Sequence, residues 1–183
     1  MGAPSADREL DRLVEFVNTN DLEDERDRIG TPALLGAWLN EHGALEPGAV
    51  VAAATHARAL DLREGLRALG RQNNAEPAEP ERLRALEAAT GELPLVASLG
   101  TDAGWQLRPR VGGADAYLAA IVAIALRAMA NGSWSRVKAC QNDTCRWLFV
   151  DGSRNRSRTW CTMAICGSRM KSRAYRARQR PET

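Results

Sequence analysis

Apolar residues recur at helical spacing over most of the first 133 positions. Leu10, Leu13, Val14 and Val17 place one stripe on a helix from about Asp7 to Asn18. The charged stretch from Asp21 to Gly30 breaks that pattern and reads as a solvated loop; it lacks the glycine and ligand spacing of a calcium loop. Thr31-Pro32 supplies an N-cap and a first-turn proline. Leu34, Leu35, Trp38 and Leu39 form the buried face of that helix, and Gly43 ends it. Pro47 opens a longer helix reaching about Leu69, with Val50, Val51, Ala54, Leu62 and Leu66 inward and Gly70 closing it. A polar, proline-containing loop over 71–80 leads to a helix over 81–89.

The period then changes. Leu93 to Leu99 and Trp105 to Arg108 read as two short strands joined by the turn from Gly100 to Gly104. Ala114 to Asn131 is the most hydrophobic helix and is expected to be central; its apolar run from Ala116 to Leu126 is too short to span a membrane. Gly132 stops it. Arg136 to Ala139 and Arg146 to Val150 read as a small hairpin, Asp151 to Arg158 as a polar loop, and Gly167 to Arg178 as a helix. With two Phe, two Tyr and five Trp, the core must be built mainly of Leu, Ala, Val and Ile, which suits helices. The fold expected is mainly α with a small β-hairpin. A mostly helical domain over 1–133, with its own two-stranded hairpin, precedes a C-terminal treble-clef-like four-cysteine module over 134–183 that packs on the central helix.

Charge sharpens the division. Residues 1–133 carry a net −7 and residues 134–183 a net +9, within a chain of +2. The basic part suits a polyanion, from which the acidic part should point away. All four cysteines lie in the basic part, as Cys140-x4-Cys145 and Cys161-x4-Cys166. Two short thiol pairs separated by a loop meet the requirement of a tetrahedral zinc site. The N-terminus shows no basic-then-apolar-then-small pattern, so no signal peptide is expected; a cytoplasmic protein with reduced thiols is expected, and metal ligation is favoured over two disulfides. An iron–sulfur cluster is the chemical alternative. Four protein ligands leave no open coordination position, so the zinc is expected to be structural.

The segment from Cys140 to Arg178 closely resembles the CGNR zinc finger: Trp147-x-Phe149, Asp151, Ser153-Arg154-Asn155-Arg156, Trp160-Cys161 and Met163 all match its flanking pattern. The family is named for the four residues at its last cysteine; here they read Cys166-Gly167-Ser168-Arg169, with Ser in place of Asn. The metal ligands are unaffected by that departure. Upstream, Phe16-Val17-Asn18-Thr19 and Leu35-x-x-Trp38-Leu39 resemble the companion ABATE domain. The resemblance implies a bacterial stress-linked transcription regulator.

Candidate residues follow. On the last helix, Arg169, Arg173, Arg176 and Arg180 form one stripe, Met170, Ala174 and Ala177 an apolar one, and Lys171 and Arg178 lie beyond. In the preceding loop Arg154, Arg156 and Arg158 alternate, and an extended chain would turn all three one way. These nine cations are the expected nucleic-acid contacts, with salt bridges to the acidic domain as the alternative for the loop. DNA is the expected partner; phosphate contacts alone do not separate it from RNA. Trp134, Trp147 and Trp160 read as core around the metal. Asn18, Thr19 and Trp38 are candidates for a small-effector pocket, although a turn or capping role competes for Asn18-Thr19. There is no Gly-x-Ser-x-Gly, phosphate-binding loop or dinucleotide fingerprint, so an enzyme is not expected. The rival reading is a non-enzymatic interaction or ligand-binding protein with a purely structural zinc module.

Overall fold

The computed structural model describes residues 6–100 and 104–178. Arg180 and the middle of the expected turn at 100–104 lie outside them. The first helix, α1 (Ala6–Val17), turns Leu10, Leu13, Phe16 and Val17 inward. It packs against α5 (Gly113–Ala130), whose inner face buries Tyr117, Leu118, Ile121 and Val122. Each such buried side chain contributes about 1.5–3 kcal/mol. α2 (Pro32–Glu41) begins as its sequence dictates: the Thr31 hydroxyl accepts from the Leu34 N–H at 3.2 Å. It inserts Trp38 between Phe16 and Tyr117, with ring centroids 6.1 and 5.4 Å away.

The long helix, α3 (Ala53–Gln72), starts later than its hydrophobic pattern predicts. Residues 47–52 form a turn and an extended entry, with Gly48 at φ +78° and Val50 fully in solvent. A positive φ is incompatible with helix, so Pro47 opens a turn here. α3 also runs past Gly70. That glycine does not stop the helix; a Cβ there would lie 2.4 Å from Leu148 Cδ1 and 3.3 Å from the Ala139 amide nitrogen. Its role is close approach of another backbone. α4 (Pro80–Gly91) leans on α3.

Three two-stranded antiparallel ladders complete the chain. The acidic stretch read as a loop holds a minimal hairpin, β1 (Asn20–Asp21) with β2 (Arg26–Asp27). β3 (Leu95–Leu99) pairs with β4 (Trp105–Pro109), and β4 packs on α5. After one 3₁₀ turn (Ser133–Arg136) packed on α5, β5 (Val137–Ala139) pairs with β6 (Leu148–Val150). A π turn (Met163–Gly167) then leads into α6 (Ser168–Arg178).

The sequence division at 133/134 is not a division of the core. Trp134, Val137, Ala139 and Leu148 belong to the same buried cluster as α1, α3 and α5. The hairpin rests chiefly on α3 and α1, while the 3₁₀ turn packs against α5. A second, smaller cluster gathers Cys140, Cys145, Phe149 and Cys166, with Trp147 and Trp160 packed on it. Of the three tryptophans read as metal-site core, Trp134 therefore belongs to the main core.

Candidate metal centre

The thiols come together because the hairpin fixes the first pair and the π turn delivers the second. The Cys140 N–H continues the β5–β6 ladder by donating to the Trp147 carbonyl at 2.9 Å. The chain then doubles back: the N–H groups of Cys145 and Arg146 both donate to the Asn142 carbonyl, at 2.9 and 3.0 Å. Arg146 adopts φ +50° to close this knuckle. In the second half, a Cβ on Gly167 would stand 2.5 Å from the Met163 sulfur and 3.1 Å from Trp160. Glycine after the last cysteine is thus what lets the π turn fold over the tryptophan. Ser168 donates its hydroxyl to the Met163 carbonyl at 3.3 Å, a local backbone bond at the helix start.

All four Sγ atoms lie within 4.8 Å of one another. Cys145–Cys161 and Cys161–Cys166 are separated by 3.7 and 3.6 Å. A tetrahedron with metal–sulfur bonds of about 2.3 Å has edges of about 3.8 Å, so the spacing fits four thiolates on one ion. A buried amide supports the cluster: Asn142 Nδ2 approaches Cys166 Sγ at 3.7 Å. Without a cation the thiols oppose one another's ionisation. A hydrogen bond from Cys145 holds Cys140 down to about 5. That same bond pushes Cys145 far above the ordinary thiol range, and burial pushes Cys161 up to about 12. Cys140, Cys145, Cys161 and Cys166 would hold a divalent ion as four thiolates, which would offset the repulsion between them.

Around the cluster, polar side chains fasten the hairpin. Buried Lys138 donates to Asp151 at 2.9 Å, and Asp151 is fully enclosed. Burial works against the Asp151 charge. Hydrogen bonds from Ser153, Lys138 and the Arg158 backbone outweigh it and hold the carboxyl well below the usual range. Asn18 joins the helical part to the finger: its Nδ2 donates to the Leu148 carbonyl at 2.9 Å, and its Oδ1 accepts from the Leu148 N–H at 2.8 Å. Asn73 donates to the Trp134 and Val137 carbonyls at 2.8 and 2.9 Å, and Asn74 to Ala139 and Thr159 at 2.7 and 2.9 Å. Arg67, also buried, donates to Arg146, Val17 and Asn20 carbonyls while Glu64 balances its charge.

Asn18, Thr19 and Trp38 therefore serve packing and backbone bonding. Thr19 donates to the Phe16 carbonyl at 2.8 Å, and Trp38 is enclosed in the core. The groove described below is lined by other residues. Sequence reasoning does not single out Lys138, Arg67, Asn73 and Asn74, and it names Asp151 only as part of the finger's flanking pattern. An amide bonded to a distant carbonyl leaves no periodic trace, although buried arginines at Arg63 and Arg67 interrupt the apolar face of α3.

Two known families match the chain. The ABATE family, described as a putative stress-induced transcription regulator, matches residues 10–132, and the CGNR zinc finger matches 136–179. The chain belongs to the ABATE family. It carries the CGNR finger at its C-terminal side. No curated protein matches this ABATE chain.

The expected cations are placed unequally on this ABATE protein. The loop at 151–158 is not extended; it turns at Ser153–Arg156, with Arg156 at φ +50°. Arg154 is exposed, and Arg156 donates to the Ser135 hydroxyl at 3.1 Å. Arg158 folds back onto the finger, its guanidinium 4.6 Å from the Phe149 ring centroid and bonded to the Trp160 and Cys161 carbonyls. On α6, Arg169 pairs with Glu23 of the β1–β2 turn. Lys171, Arg173 and Arg176 are exposed and have no acidic partner among the described residues. Arg178 ends the helix. α6 packs chiefly on the π turn before it rather than on the hairpin.

Proposed function

We propose that this ABATE protein is a DNA-binding transcription regulator, not an enzyme, in which one structural zinc ion on Cys140, Cys145, Cys161 and Cys166 holds a cationic helix for phosphate contact. The carrying observation is α6. It is mounted directly on the last cysteine turn and presents Lys171, Arg173 and Arg176 to solvent without acidic partners among the described residues. Arg154 and Arg156, on the exposed turn between the two thiol pairs, offer the same chemistry. Four sulfur donors fill a tetrahedron, which leaves the metal no catalytic position. Within α6, Arg169 alone among the described residues is paired to an acid, which disfavours the rival reading of arginines docked on the protein's own acidic part.

The test is a salt titration of duplex DNA binding by zinc-loaded protein, parent against an Arg173→Ala/Arg176→Ala double variant. Each lost phosphate contact should flatten the slope of log K against log salt by about 0.9. Melting temperature and zinc content should be unchanged, because both side chains are exposed. Equal affinity and slope in parent and variant would remove α6 from the interface.

A further inference from the structure

A groove of about 630 Å³ runs between the β1–β2 turn and the finger. Its floor is apolar and partly aromatic, with Val14, Trp147 and Ile165 contributing. One rim is acidic: Asp11 from α1, and Asp21, Glu23 and Asp24 from the turn. Asp11 and Asp24 are exposed and have no ion pair among the described residues. The Asp21 carboxylate accepts from the Glu23 and Asp24 N–H groups at 3.0 and 3.2 Å, which pins the rim in shape. The facing wall includes Cys145, Cys161 and Cys166, where four thiolates on one divalent ion would carry a net charge of about −2.

Electrostatics and shape point to one ligand chemistry. The unpaired rim carboxylates work against anions, and the lining cation Arg169 is already paired with Glu23. A cation is attracted by the rim, and the half-buried Trp147 offers an aromatic surface suited to it. The volume lies in the range of small-molecule sites. The protein itself supplies a precedent: the Arg169 guanidinium already closes one end by pairing with Glu23. We infer that the groove binds an organic cation with an apolar body, an amine or quaternary ammonium carrying an alkyl or aryl group. The charged head sits between Asp11 and Asp24, and the apolar body lies over Trp147 and Ile165. This site does not depend on DNA binding by α6.

The experiment uses the zinc-loaded full chain and isothermal titration with octyltrimethylammonium, octanoate and tetramethylammonium. Octyltrimethylammonium should bind saturably at one site, with octanoate silent and tetramethylammonium much weaker. An Asp11→Asn/Asp24→Asn variant, altered only at exposed carboxylates, should melt like the parent and bind the cation about tenfold more weakly. Equal uptake of octanoate would reduce the groove to an apolar surface and overturn the inference. So would parent-like affinity in the variant, or no saturable binding of octyltrimethylammonium.

Discussion

Replacing Asn18 by Ala tests whether the helical part and the finger are one folding unit. Asn18 exchanges two hydrogen bonds, at 2.9 and 2.8 Å, with the backbone of Leu148, a residue with no solvent exposure. Truncation leaves the Leu148 N–H and C=O buried without those partners. Each orphaned group costs about 1–3 kcal/mol, and imperfect additivity puts the total at about 2–4 kcal/mol. That corresponds to a folding equilibrium weakened by about 30- to 700-fold. For a chain of this length it lowers the melting temperature by about 4–16 °C. Asn18→Asp should be at least as damaging, because a carboxylate cannot donate to the Leu148 carbonyl and brings a charge into a buried position. The assay is urea unfolding of zinc-loaded protein followed by far-ultraviolet circular dichroism, with exposed Asn155→Ala as the control. A loss below about 0.5 kcal/mol, the level of an ordinary surface substitution, would refute the claim that Asn18 binds the two parts together.

Zinc binding at pH 7 should release at least the Cys145 and Cys161 protons, because both thiols are held above the ordinary range while Cys140 is held at about 5. The sign follows: a process that expels protons is favoured as pH rises, so zinc affinity should climb between pH 6 and 8. Titrating the metal in buffers of different ionisation enthalpy measures the proton count, and a count of zero would contradict the thiol assignment. Gly70→Ala should destabilise the protein by about 1–3 kcal/mol, since the new methyl meets the enclosed Leu148 side chain at 2.4 Å. A melting temperature equal to the parent's would show that Leu148 has room to move.

The features legible in the sequence are those with short-range signatures. The stripe Leu10, Leu13, Val14 and Val17, the Thr31-Pro32 start and the apolar run of α5 each follow from local spacing. The thiol cluster was legible because few other arrangements use two x4-spaced pairs, and the four sulfurs do converge. Boundaries failed where one residue has two meanings. Gly70 reads as a helix stop by propensity, yet it sits inside α3 because Leu148 needs the space. Pro47 reads as a helix start, yet it opens a turn whose second residue has positive φ. The alternating arginines of the 154–158 loop are separated by a turn at Arg156 that alternation alone does not reveal. Least legible were the backbone partners of Asn18, Asn73 and Asn74, which lie 61 to 130 residues away.

Those asparagines also bear on how such proteins can diversify. Many fingers are beads that can be cut out, duplicated and strung in new orders. A segment excised at Arg136 here would carry Val137, Ala139 and Leu148 into water and strip four backbone carbonyls of their amide donors. A finger fastened in this way cannot be transplanted without its helical half, whereas substitutions on the outward-facing turn and terminal helix leave those bonds intact.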